Sequence, residues 1–183
     1  MLIAMTGLKG SGKDTFAEGL KNAGVHQTRF ADPLKNMLRA LFREAGMDPE
    51  DYIEGPFKEA PCDLLCGKTA RHAMQTLGTE WRDMIDRDLW TNIWRARVIK
   101  LLKQGSAVVV TDCRFIHEAA AVKELGGYII RVERSHQSND DLHISEQQMM
   151  LIEPDFVVQN DGTIEQLQDK ARKFYLDHLR KNH

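Results

Sequence analysis

Gly7, Gly10, Gly12 and Lys13 stand at a spacing that can hold phosphate groups. Glycines let successive backbone N–H groups turn inward around an anion, and a following helix adds the positive end of its dipole. A lysine at the rim supplies a mobile positive charge. An apolar run, Leu2-Ile3-Ala4-Met5-Thr6, precedes Gly7-x-x-x-x-Gly12-Lys13, and a helical pattern follows. This is the P-loop layout of strand, glycine-rich turn and helix. It makes Gly10, Ser11, Gly12, Lys13, Asp14 and Thr15 the candidate residues for nucleotide phosphates, with Lys13 reaching the outer ones. The hydroxyl that usually follows the lysine is replaced by Asp14, with Thr15 one position later. Asp14 either touches magnesium through its water shell or complements the helix N-terminus.

A second carboxylate, Asp112, ends the β-branched run Ala107-Val108-Val109-Val110-Thr111. P-loop enzymes keep a carboxylate at such a strand end for magnesium or its water; the alternative is a cap for the helix that follows. Arg114, two residues on, would project from the same edge, either for a two-pronged grip on phosphate or for a surface ion pair. Arg71, Arg82 and Arg87 are either phosphate ligands or a solvated face beside the apolar Met74, Leu77 and Met84.

The elements that position these residues alternate between strand and helix patterns. The spacing predicts a helix over Thr15–Lys21, a strand around His26–Phe30, and a helix opened by Asp32-Pro33 as N-cap and first helical residue. Asp48-Pro49 repeats that start signal for a short helix. Residues 57–67 have no clean period and are expected to form an exposed loop. Thr69 can cap a helix that stops at Gly78, with a further helical piece from Thr79 to Arg87, and Leu89–Gln104 has helical spacing. After the valine run come a helix over Ile116–Leu125, a strand over Tyr128–Glu133, a capping box at Ser145-Glu146-Gln147-Gln148, a strand over Asp155–Gln159 and a helix capped by Thr163-x-x-Gln166. Five strands alternating with helices imply an α/β fold with a parallel sheet, whose ligands gather at the carboxyl ends of the strands.

The chain of 183 residues, 42% hydrophobic, suffices for one α/β domain. Lys and Arg number 25 against 27 Asp and Glu, a formal charge of -2, so no footprint for polymeric nucleic acid is expected. The partner expected is a small molecule. Cys62, Cys66 and Cys113 form no CxxC pair and read as reduced thiols. No apolar run approaches membrane-spanning length and no export signal is evident, so a cytoplasmic protein without membrane association is expected. No exposed apolar stripe stands out to define an oligomeric state.

Taken together, GLKGSGKDT at 7–15, FADPLK at 30–35, LGTEWRD at 77–83 with Asp88 and Trp90, TDCRFIHEA at 111–119 and HISE at 143–146 resemble the phage-type deoxynucleoside monophosphate kinases, within the P-loop nucleoside monophosphate kinase fold. The resemblance implies one kinase domain over 1–183, with a helical substrate-binding insertion at 46–88 and a short lid at 134–145. It implies ATP and magnesium as cofactors and a nucleoside monophosphate as the small-molecule substrate, held between insertion and core. Lys13, Asp112 and Arg134 are then the catalytic candidates, and Asp14 and Asp112 the metal candidates, acting through water. Lys35, Arg71, Trp81, Arg82, Arg114 and Arg131 are the substrate candidates, Arg131 and Arg134 being assigned to the lid. Asn160 and Gly162 fall in the loop that borders the ATP base. Trp81 either stacks on the acceptor base or simply packs. His143 is not needed as a base, because the acceptor phosphate is already anionic; with Ser145 as N-cap it would fix a helix start. Phosphomevalonate kinases share a SGKD-type loop, dephospho-coenzyme A kinase shares the Asn-x-Gly loop, and a nucleotide-binding module without catalysis is the alternative of another class.

Overall fold

The structure is a computed structural model that describes residues 1–21, 23–135 and 148–178. The chain divides into two compact units, one of Met1–Phe30 with Arg95–His183, the other of Ala31–Trp94.

The first unit is a five-stranded parallel sheet, order β2-β5-β1-β6-β7, built from β1 (Leu2–Thr6), β2 (His26–Thr28), β5 (Val108–Val110), β6 (Tyr128–Glu133) and β7 (Phe156–Gln159). The central β1 and β5 are buried at every residue, as a strand covered on both faces requires. Leu2, Ile3 and Ala4 pair with Val108, Val109 and Val110, and Thr6 pairs with Arg131. Around the sheet run α1 (Lys13–Lys21), α7 (Ile116–Glu124) and, last among the described elements, α8 (Ile164–His178). Phe16, Ala17 and Leu20 of α1 interlock with Leu167, Ala171 and Phe174 of α8 over Ile3, Met5, Ile130 and Val132. Thr163 and Gln166 form the expected capping box at the start of α8, each side chain accepting from the other's backbone N–H.

The second unit holds α2 (Asp32–Glu44), α3 (Pro49–Ile53), α4 (Ala70–Thr76) and α5 (Arg82–Ile85), with a hairpin of β3 (Pro61–Cys62) and β4 (Lys68–Thr69). Helix α6 (Leu89–Lys103) begins in this unit and ends in the first. Leu38, Phe42, Ile53, Cys62, Ala70 and Met74 make its core. Because Leu38 and Phe42 lie on α2, that helix belongs here, and the unit reaches beyond residues 46–88 at both ends.

Asp48 and Thr69 cap α3 and α4 as expected, accepting from the N–H groups of Glu50 and His72. Three expectations need correction. Asp32 is not the cap of α2: Ala31 occupies that position without a side-chain bond, and Pro33 lies one residue deeper. Residues 57–67 are not a structureless loop but two 3₁₀ turns, Pro56–Glu59 and Asp63–Leu65, around the hairpin. Gly78 does not end α4. The helix runs through a π turn, Leu77–Trp81, directly into α5, and the indole N–H of Trp90 donates to the Leu77 carbonyl at 3.2 Å. The capping box and HISE segment at 143–148, and all of the lid beyond Ser135, lie outside the described residues apart from Gln148, which is helical.

Candidate functional site

The glycine-rich turn leaves the buried end of β1 with Gly7, Gly10 and Gly12 at φ of 134°, 81° and 104°. Positive φ of this kind is what lets successive N–H groups turn inward around an anion. The turn is also tightly enclosed. A Cβ at Gly7 would collide with the Val132 carbonyl, and one at Gly12 would sit 2.5 Å from the Asn160 amide nitrogen. Lys13 opens α1 and folds back over the turn, its Nζ donating to the carbonyls of Gly7 at 2.5 Å and Leu8 at 2.8 Å. The Ser11 hydroxyl is buried with no hydrogen-bond partner, as is that of Thr6. Buried hydroxyls without partners cost free energy, and a phosphate bound in this cradle would remove that cost for Ser11. The residues therefore fit nucleotide phosphates.

Asn160, in the loop expected to border the ATP base, braces the glycine-rich turn. Its Nδ2 donates to the Ser11 carbonyl at 2.8 Å, and the side chain is buried. Asn160→Ala would leave that carbonyl unpaired, at a cost of about 1–3 kcal/mol. The expected outcome is a lower thermal midpoint together with a raised KM for the nucleotide, measured side by side. Its neighbour Asp161 accepts from Ser135 N–H at 2.9 Å and Oγ at 2.7 Å. Gly162 packs against the Gln166 side chain.

Asp14 is exposed in the first turn of α1, 3.5 Å from the Arg29 guanidinium. Asp112 accepts from the Phe30 N–H at 2.8 Å. The start of α7 is capped by Glu118, which sequence reasoning missed. The Glu118 Oε2 accepts from the N–H groups of Arg114 at 2.7 Å and Phe115 at 3.1 Å, holding the 112–115 turn in shape. Burial, then the Asp112 carboxylate, pushes the Glu118 acid up to about 8. Glu118 is thus protonated in the folded protein at neutral pH and ionised when unfolded, so its contribution to stability is complete below pH ~4.5 and is lost as pH rises through about 8. Glu118→Gln should keep an acceptor for both N–H groups and flatten the fall in unfolding free energy between pH 5 and 8. Chemical denaturation across that range would show it; an unchanged slope would remove Glu118 as its source.

Among the described residues, no three acidic, histidine or cysteine side chains converge as a metal site. Asp112 and Asp14 suit a magnesium ion that keeps its water and takes phosphate oxygens as ligands. Arg114 and Arg134 are exposed at the carboxyl ends of β5 and β6. Arg131 differs, its guanidinium donating to the carbonyls of Ile152 and, at 3.4 Å, Met150.

In the second unit, Lys35 pairs with Glu54 at 2.6 Å and Arg71 with Glu59 at 2.7 Å. Arg82 is largely buried against Asp83, and Trp81 lies on Trp90 with ring centroids 5.5 Å apart while staying 37% exposed. Trp81 therefore packs, and one part of its ring stays open to solvent. No helix among the described residues is long and apolar enough to cross a membrane.

Residues 67–171 match the family model described as deoxynucleotide monophosphate kinase. The chain is 36% identical over 178 residues, 91% of each chain, to a protein of Acanthamoeba polyphaga mimivirus provisionally named deoxynucleotide monophosphate kinase. It is 33% identical over 105 residues to the deoxynucleotide monophosphate kinase of Escherichia phage RB69, a match spanning 56% of this chain and 43% of that one. Among solved structures, a dephospho-CoA kinase from Campylobacter jejuni superposes with a TM-score of 0.56 at 17% identity, covering 100% of this chain and 98% of the other. That likeness gives the fold, a P-loop kinase sheet flanked by helices.

Proposed function

The chain belongs to the deoxynucleotide monophosphate kinase family and is a nucleoside monophosphate kinase, and from that premise we propose that it moves the γ-phosphoryl group of ATP, with magnesium, in line onto a deoxynucleoside monophosphate. The observation that carries the ATP assignment is the turn of three positive-φ glycines under the folded-back Lys13, with the buried Ser11 hydroxyl unpartnered.

The N–H groups of Gly10, Ser11, Gly12, Lys13, Asp14 and Thr15 hold the β- and γ-phosphates. Lys13 leaves the Gly7 and Leu8 carbonyls to neutralise charge on the outer phosphates. Asp112, with Asp14, orients the metal's water; magnesium, when bound, draws charge off the transferring phosphoryl group. Arg114 and Arg134 face the phosphates from the carboxyl end of the sheet. Lys35, Arg71 and Arg82 hold the acceptor, and the open part of Trp81 offers its base a stacking surface. Asn160 and Gly162 shape the loop bordering the ATP base. No side chain need remove a proton, because the acceptor phosphate is anionic, and catalysis comes from positioning and charge neutralisation.

A coupled assay of ADP release tests this, with ATP, magnesium, each ribo- and deoxynucleoside monophosphate, phosphomevalonate and dephospho-coenzyme A. Turnover that depends on Lys13 is expected with deoxynucleoside monophosphates. Turnover restricted to a non-nucleotide acceptor would discard the reading.

A further inference from the structure

Lys58 takes no part in the roles above, yet its surroundings are unusual. Glu54 follows α3, Gly55 turns the chain, and Lys58 lies on the 3₁₀ turn Pro56–Glu59. The turn is tight. Gly55 N–H donates to the Glu50 carbonyl at 2.7 Å, and a Cβ at Gly55 would lie 2.8 Å from the Asp51 backbone, so only glycine lets the chain wrap this closely. The wrap brings the Lys58 ammonium to 3.6 Å from the Glu54 carboxylate. From α2, Lys35 meets the same carboxylate at 2.6 Å and Arg39 at 4.0 Å.

Three cations thus converge on one carboxylate. The side chains of Lys35, Arg39 and Lys58 are only 13%, 18% and 22% exposed, while Glu54 is 39% exposed. Arg71 stands close by, paired with Glu59, the residue after Lys58. A typical surface ion pair joins one exposed cation to one exposed anion and contributes little; this arrangement crowds like charges in partial burial. Burial lowers the Lys58 ammonium's hold on its proton, and the charges of Lys35 and Arg71 lower it further, against the opposing pull of Glu54. Glu50 balances Arg39 and Glu59 balances Arg71, which leaves the single charge of Glu54 between the ammonium groups of Lys35 and Lys58. A phosphate monoester, with up to two negative charges and three acceptor oxygens, fits them better.

We infer that Lys58 is a further ligand for the acceptor's phosphate, in a nest shared with Lys35 and Arg39, and that Glu54 holds the place of that phosphate in the free protein. The inference rests on the reading that residues 31–94 bind a nucleoside monophosphate. Arg39 is also fixed by both oxygens of Glu50, at 2.6 and 3.1 Å, so the nest keeps its shape when Glu54 is displaced.

Steady-state kinetics of the full chain and of K58M, K58R and E54Q test this, with ATP, magnesium and the four common deoxynucleoside monophosphates, alongside thermal midpoints. K58M should raise the KM for the acceptor at least tenfold, about 1.4 kcal/mol, with the KM for ATP within twofold and the midpoint unchanged. K58R should recover most of the loss, and E54Q should lower the acceptor KM several-fold. An unaltered acceptor KM in K58M, or both KM values rising together with a falling midpoint, would overturn the role of Lys58. A raised acceptor KM in E54Q would overturn the role of Glu54. An unmodified chain that turns over no nucleoside monophosphate would overturn the acceptor assignment and this inference with it, whereas an active chain with an unaffected K58M overturns the inference alone.

Discussion

Lys13→Ala should lower kcat by roughly 10²- to 10³-fold, on the order of the ~2.7–4 kcal/mol lost when one preorganised donor is removed from a transition state. In the free protein its Nζ donates to the Gly7 and Leu8 carbonyls at the part-buried rim of the turn, where water can take its place. Folding therefore depends on it only modestly. The missing charge matters when the phosphoryl group is in transit and negative charge is spread over its oxygens. The variant should unfold within a few degrees of the parent and bind acceptor with a similar KM. Turnover close to that of the parent chain would remove the phosphate role from this lysine.

The second large effect is expected at Gly7. A residue with a Cβ is strained at φ 134°, by about 1–3 kcal/mol. The added carbon also collides with the Val132 carbonyl and lies 2.9 Å from Ser11 Oγ. Val132 has little room to retreat, because its side chain is fully buried and it pairs with Val158 of β7, one residue past the end of the β1 pairing; overpacking of this kind costs about another 1–3 kcal/mol. Gly7→Ala should thus destabilise by about 2–6 kcal/mol and lower the thermal midpoint by at least roughly 5 °C, with loss of turnover. Gly24→Ala is the control. Gly24 also has positive φ, 72°, but an added Cβ meets nothing within 4 Å. It should suffer the backbone strain alone and keep its activity. Equal midpoints for the two variants would mean that the enclosure around Gly7 is not what fixes the turn.

The sheet and the P-loop were legible because their signals are local. A buried parallel strand is written as an unbroken β-branched run, as at Val108–Val110, and the phosphate turn is written as glycines at fixed offsets from a lysine. Asp48, Thr69 and the Thr163–Gln166 pair could be read as caps for the same reason, since donor and acceptor lie within three residues. The signals that failed were those whose partner is far away or whose geometry is rare. The 61–69 hairpin has strands too short to show alternation. Gly78 reads as a stop, but a π turn absorbs it and carries the helix on to Arg82. Asp112 binds an N–H from residue 30, and Arg131 holds carbonyls on 150 and 152, which no spacing rule connects. The cluster around Glu54 needs separate elements and a wrapped glycine to form, so no spacing in the sequence singles out Lys58.

The strut from Asn160 to Ser11 joins residues 149 positions apart, and Gly12 packs against Leu167 as well as Asn160. β1 likewise waits for β5 and β6 before it has neighbours on either side. Contacts of such long sequence separation form late and slow folding. On a ribosome, which delivers residues in order, the glycine-rich turn would emerge well before the residues that enclose it, and be completed only once residues 160–171 have been made and α8 has docked on α1. A nascent chain stopped before residue 160 should therefore expose β1 and the glycine turn without a phosphate cradle, leaving nucleotide with nothing to stabilise until synthesis has passed that point.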